Sequence, residues 1–310
     1  MILDPNNFFS TFSIVAHDPA TGQFGVAVQS HVMSVGAAVP FLLPGIGAVA
    51  TQSVVNISFG PLGLEFLKAG YSAERVIAAL VASDAGFDRR QVAVIDDEGR
   101  AAAHTGERCI AYASHQVGEG YSVQANMMTN DTVVPAMAHA FEGASGDLAA
   151  RMMAALDAAQ GEDGDIRGMQ SAALRVVSGD VLDRSFRSVY DLRVDEHPQP
   201  LTELARLVRL RGAQLTSQRG NEALANDEPE QALELWTQAR EQAPELEEIA
   251  FWQAMTLIDA TGDAATAAEI LRPALAGNAR RDHWFDLITR LIDCGLVENG
   301  GVAAQVQDAL

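Results

Sequence analysis

Hydroxyl and amide side chains gather where the apolar alternation of this chain stops. Thr11 opens one alternating run, and Gln29, Ser30 and His31 close the next. Thr51, Gln52, Ser53 and Asn56 end a third, and His104-Thr105-Gly106 a fourth. Gln124, Asn126, Asn130 and Asp131 follow a fifth, and Gln170-Ser171 precede a sixth. Such groups donate hydrogen bonds to a carbonyl or an oxyanion but shuttle protons poorly. A reaction built on them must draw its base from a histidine or a terminal amine. Other familiar chemistry is missing. Gly45-Ile-Gly-Ala-Val-Ala50 has the spacing of a dinucleotide loop, yet it precedes a strand rather than opening a helix, and no acidic residue ends a second strand. There is no G-x-S-x-G, no Walker lysine and no H-E-x-x-H. The seven histidines lack ligand spacing, so neither a metal nor a cofactor is expected.

These residues need strands to hold them. Phe12, Ile14 and Ala16 alternate with Thr11, Ser13 and His17, and Gln23 to Ser30 alternates again. Asp18-Pro19-Ala20-Thr21-Gly22 between them is turn chemistry, so Thr11 to Ser30 reads as a β-hairpin. Phe8 and Phe9 are apolar enough to extend its first strand. Gly47 to Val54 reads as a third strand, and Gln91–Asp96 with Arg100–Thr105 as a second hairpin across Asp97-Glu98-Gly99. Ile110–Ala113, Tyr121–Ala125, Ser171–Val177 and Ser188–Val194 are further strands. Helices are expected at Leu62–Ala69, at Ala73–Ala82 with Ser72 as cap, through Phe141 with Asp131 as cap, and over Asp147–Gln160. Short turns between strands require antiparallel sheets. Helices grouped between hairpins then give an α+β sandwich, two sheets face to face with helices outside.

His197-Pro198-Gln199-Pro200 marks a boundary, giving domains 1–197 and 198–310. Beyond it only helical periodicity remains. Ala232, Leu235 and Ala239 recur 35 residues later as Ala267, Ile270 and Ala274. Gly220, Ala223, Ala232, Trp236, Ala239 and Pro244 fit a tetratricopeptide-like pattern of small residues where paired helices touch. A plain helical bundle is the alternative. Either tail could take a protein partner.

At 310 residues with a net charge of −20, the chain repels polyanions, so neither nucleic acid nor an anionic membrane is an expected partner. Cys109 and Cys294 make no disulfide framework, and Lys68 is the sole lysine. The start, Met-Ile-Leu-Asp-Pro-Asn-Asn, lacks a basic, apolar signal peptide, and no apolar run spans a bilayer. A cytoplasmic protein is expected, and because large sandwich domains commonly pair, a homo-oligomer.

Several motifs in order carry a family resemblance. Thr11-Phe-Ser-Ile-Val-Ala-His-Asp-Pro with Gly25-Val-Ala-Val, Gly47-Ala-Val-Ala-Thr-Gln-Ser53, Ala103-His-Thr-Gly106 and Gln124-Ala-Asn-Met-Met128 resemble the domain of unknown function 1028 family, over about residues 10–194. That family is placed in the N-terminal-nucleophile hydrolase superfold. The resemblance implies a four-layer αββα sandwich and amidohydrolase chemistry on a small amide. It implies Thr11 as nucleophile and, once its amine is free, as base. His31 or His104 would orient the site, and Gln52, Ser53, Asn56 and Asn126 would bind substrate or oxyanion. A non-catalytic small-molecule-binding or assembly protein is the competing reading.

Overall fold

The computed structural model describes residues 8–180, 182 and 188–309, and the chain divides between Val208 and Arg209 into two units. The first unit holds two sheets, and every strand pairing within them is antiparallel. One contains β1 (Phe8–Phe9), β4 (Pro40–Leu43), β5 (Gly47–Val54), β6 (Arg90–Asp96) and β7 (Ala101–Thr105). The other contains β2 (Thr11–His17), β3 (Phe24–Ser30), β8 (Ser114–Gly118), β9 (Tyr121–Asn126), β10 (Ser171–Val177) and β11 (Tyr190–Val194). Its order is β11-β10-β3-β2-β9-β8.

Period-two alternation gives each sheet two working faces. Val15, Val26 and Val28 of the second sheet pack with Ala48, Ala50, Ala93 and Ile95 of the first, closing an apolar core between them. The intervening residues Val49, Val92 and Val94 face outward onto Phe59, Leu64 and Leu67 of α1 (Phe59–Lys68), and onto Val76 and Leu80 of α2 (Ala73–Ser83). Each buried side chain of this size contributes about 2 kcal/mol of transfer free energy. On the outer face of the second sheet lie α3 (Val133–Gly143) and α4 (Leu148–Gly161). The Tyr121 ring meets Phe141 of α3 with centroids 4.9 Å apart. Gly25 lets α4 approach β3, since a Cβ there would fall 2.5 Å from the Met152 methyl carbon.

Three local expectations change. Phe8 and Phe9 do not extend β2. They pair with Val54 and Ser53 of β5, so the chain crosses from one sheet to the other at Ser10. Ile110–Ala113 is loop rather than strand. Its Ile110 and Tyr112 carbonyls take single bonds from Met127 and Met128, and ladder pairing starts only at Ser114. Asp131 does not cap α3; instead Asn130 Oδ1 accepts from the Thr132 nitrogen at 2.9 Å. The segment before Phe8 lies outside the described residues.

At the boundary, α5 (Pro200–Ala225) runs on without a break. Leu201 and Leu204, both in the first unit, are 5% and 0% exposed. The second unit is helical: the rest of α5, then α6 (Pro229–Gln242), α7 (Glu247–Thr261), α8 (Ala264–Leu275), α9 (Arg281–Asp293) and α10 (Gly300–Ala309). Trp236, Phe251, Ile258 and Leu271 are at its core. A Cβ on Gly220 would sit 2.4 Å from the Trp236 ring, so glycine is what lets α5 and α6 touch there. No described helix is long and apolar enough to cross a membrane.

Candidate functional site

The gap between the sheets is apolar at one end and polar at the other. Thr11 and Ser13 of β2, Ser30 of β3, Gln52 of β5, Gln91 of β6, and Gln124 and Asn126 of β9 are each at most 1% exposed. Register explains their meeting. Thr11 stands opposite both Ser30 and Asn126, and Gln52 stands opposite Gln91 in the facing sheet. All of them continue the inward-facing rows of Val15, Val28, Ala50 and Ala93.

Thr11 is held from both sides of its backbone. Its carbonyl oxygen accepts from Gln52 Nε2 at 3.3 Å and from Asn126 Nδ2 at 3.5 Å. Both amides also donate to Gln91 Oε1, at 2.8 and 3.0 Å. Ser13 donates to Gln52 Oε1 at 2.6 Å and accepts from Gln124 at 2.6 Å. Buried amides left without partners would be costly, and this network satisfies them.

On the other side lies the Ser10–Thr11 peptide. The Thr11 hydroxyl donates to Ser30 Oγ at 3.3 Å, and the Ser30 hydroxyl in turn makes a short hydrogen bond to the Ser10 carbonyl oxygen. Arg167 Nη2 donates to the same oxygen at 3.3 Å. Asp165, 2% exposed, fixes Arg167 through Nε at 3.2 Å and Nη2 at 3.0 Å, and also accepts from the backbone nitrogens of Arg167 and His31. The result is a peptide carbonyl facing two donors, one cationic, with a hydroxyl on the next residue. That arrangement can polarise an amide and stabilise charge on its oxygen.

Of the residues singled out by sequence, Thr11, Gln52 and Asn126 come together. His31 reaches the cluster through its backbone nitrogen on Asp165. Ser53 lies one residue beyond Gln52, and its hydroxyl donates to Cys109 Sγ at 3.4 Å. His104 and Asn56 sit elsewhere. His104 projects from the outer face of β7, its Nε2 2.9 Å from the Phe87 carbonyl. Asn56 binds Asp84 at 2.9 Å and accepts from Ser58, ordering the approach to α1. Although burial opposes it, hydrogen bonds from Arg90, the Gly86 nitrogen and Asn56 hold the Asp84 carboxyl below its usual range. Gln29 points to the helix side of its sheet, and neither end of its amide has a partner among the described residues.

Sequence reasoning missed Gln91, Asp165, Arg167 and His115. Asp165-Ile166-Arg167 lies between two glycines, and nothing in its sequence points to Ser10, 157 positions away. Gln91 extends the network outward, donating to Thr105 Oγ1 at 2.9 Å, and Thr105 meets His115 Nδ1 at 2.9 Å. Burial and the nearby His104 lower the His115 pKa, while burial pushes the Cys109 thiol up. Thr105, Cys109, Ser114 and His115 line a cavity of about 420 Å³. Among the described residues, no group of three or more His, Cys, Asp or Glu could hold a metal ion.

A family model described as "Family of unknown function (DUF1028)" matches residues 11–204. Among solved structures, protein SPO2555 from Silicibacter pomeroyi, assigned to DUF1028, is similar at 32% sequence identity and a TM-score of 0.59. The match covers 64% of this chain and 84% of that one. No curated protein matches.

Proposed function

The chain belongs to the DUF1028 family of unknown function, whose description names no reaction, so from the site's geometry we propose an amide hydrolase of the N-terminal-nucleophile type, acting through Thr11 on a small amide. One observation carries this reading: the Ser10–Thr11 carbonyl lies between Ser30 and Arg167, with the Thr11 hydroxyl bonded to Ser30. Two facing antiparallel sheets with helices outside both suit the αββα sandwich of such hydrolases.

The first turnover is on the chain itself. Thr11 Oγ1 attacks the Ser10 carbonyl carbon while Ser30 and Arg167 hold the developing oxyanion. The C–N bond breaks and nitrogen takes up the hydroxyl proton, leaving Ser10 as an ester on Thr11. The Thr11 amine is free from that step on, and water then hydrolyses the ester to a Ser10 carboxylate, a proton and the free Thr11 hydroxyl. A peptide nitrogen is no base, because its lone pair is delocalised; a free α-amine, titrating near pH ~8, is one. In later turnovers the amine takes the proton of Thr11's own hydroxyl as it attacks the substrate carbonyl, and passes it to the leaving amine. Gln52 and Asn126 keep Thr11 in place by its carbonyl, leaving the oxyanion to Ser30 and Arg167. For the second unit, the Gly220–Trp236 contact supports a tetratricopeptide-like helix pair; a protein partner for it is part of the proposal.

Intact mass and N-terminal sequencing of wild type, Thr11→Ala and Arg167→Met test the proposal. Wild type should begin at Thr11, Thr11→Ala should stay uncut, and Arg167→Met should be cut about 100-fold more slowly, as when one oxyanion donor is removed. An uncut wild-type chain overturns it and leaves the non-catalytic binding or assembly reading.

A further inference from the structure

Residues 8–10 occupy a place that a substrate would need. β4 covers the edge of β5 only as far as Ala50, and beyond it Phe8 and Phe9 pair by backbone with Val54 and Ser53. Arg90 Nη1 donates to the Val54 carbonyl at 2.5 Å and steadies that end of the strand. Ser10 follows, 1% exposed, and its hydroxyl donates to the Asn126 carbonyl at 3.1 Å and the Met127 carbonyl at 3.4 Å. Its own carbonyl then lies on Ser30 and Arg167. The residues flanking this slot are strained. Ser53, paired with Phe9, has φ 71°, and Met127, an acceptor for Ser10, has φ 59°; both are non-glycine residues in the left-handed region. Strain of this kind persists where the surrounding structure enforces it and gathers at ligand clamps.

We propose that the acyl half of the substrate is a short extended peptide ending in serine or another small hydroxyl residue, bound where residues 8–10 lie. This rests on the amide-hydrolase reading and names its substrate class. A strand added to a free sheet edge gains affinity from its backbone and specificity from the pocket at its end. Here the edge is β5 at Ser53–Val54, which β1 covers and which release of β1 would open, and the pocket offers two carbonyl acceptors to one hydroxyl. A valine in that pocket would take the serine hydroxyl away from the Asn126 carbonyl, while the Met127 carbonyl would keep the Ile166 nitrogen at 3.2 Å. Ser53 also touches Cys109, which places the 420 Å³ cavity beside the residue before the serine.

The test uses the full chain begun at Thr11, released from a fusion by a protease that leaves no extra residue. The peptide Asn-Phe-Phe-Ser, with a free carboxylate to meet Ser30 and Arg167, is titrated into it by calorimetry beside Asn-Phe-Phe-Val. The serine peptide should bind about tenfold more tightly, the worth of one buried hydrogen bond. Neither should bind Thr11→Ala, in which residues 1–10 stay attached and 8–10 fill the slot. Absent or equal binding overturns the inference. So does a Thr11 chain without a cooperative melt, because residues 8–10 would then be a structural strand. Binding without hydrolysis of the amide Asn-Phe-Phe-Ser-aminomethylcoumarin leaves the slot in place and defeats only the Thr11 chemistry.

Discussion

Thr11 and Ser10 are adjacent in the chain, yet their surroundings come from five strands and one loop. The hydroxyl, the polarised carbonyl and the cation are contributed by Thr11, Ser10 and Arg167, and the last of these is far away in sequence. At the rim of this network, His115 should leave a trace in pH dependence. Its folded pKa lies below the ordinary value of 6.5, so folding favours the neutral ring, whose Nδ1 can accept from Thr105. The stability it contributes is fully present above pH 6.5 and is lost as pH falls from there toward the folded value. His17 is lowered chiefly by burial and acts in the same sense. Thermal melts between pH 7.5 and 5.5 should therefore show wild type losing more than His115→Gln, with a residual slope left to His17. Parallel curves for the two proteins would show that burial does not lower the His115 pKa in the folded chain.

Among the elements, α4 gives the clearest view of how a local signal is used by the tertiary structure. The sequence starts this helix at Asp147, and Asp147 is its cap, accepting from the Ala150 nitrogen at 2.9 Å. The same carboxylate takes the Tyr190 hydroxyl of β11 at 2.8 Å, tying the start of the helix to the edge of the sheet. Asp147→Ala should cost about 1–2 kcal/mol, the upper part of the usual range for a lost cap. Urea denaturation at neutral pH measures it; a change below about 0.3 kcal/mol would show that water replaces both bonds. Strands bounded by Asp and Gly were legible because turn chemistry is local. Asp97-Glu98-Gly99, with Gly99 at φ 76°, and the Ser171–Val177 strand emerge as read. The crossing at Phe8–Phe9 was not legible, since two phenylalanines satisfy either sheet equally and only the open edge of β5 chooses.

For the whole molecule, the division between Val208 and Arg209 leads to a prediction about the tail. A fragment ending at Val208 keeps Leu201 and Leu204 and should stay soluble with a cooperative melt. One ending at Gln199 removes both buried leucines and should melt several degrees lower, at about 2 kcal/mol each. Differential scanning calorimetry of the pair decides the matter. Aggregation of the longer fragment would show that the helical unit is needed to cover the first.

The sequence by itself determined the antiparallel hairpins, the grouping of helices between them, the helical tail, and the position of Thr11 at the head of a core strand. Those follow from periodicity and turn residues, which act over a few positions. It also singled out Gln52 and Asn126, because polar residues ending apolar strands are conspicuous. Only the tertiary structure decided that their amides bind the Thr11 carbonyl, that Gln91 joins them, and that His104 faces away. A one-residue step along a strand reverses the face, and the choice of face depends on which sheet lies opposite. Arg167 reaches Ser10 only because the loop after α4 folds back over the end of β3, where Asp165 receives the His31 nitrogen. That contact closes a long stretch of chain, and no local pattern encodes it.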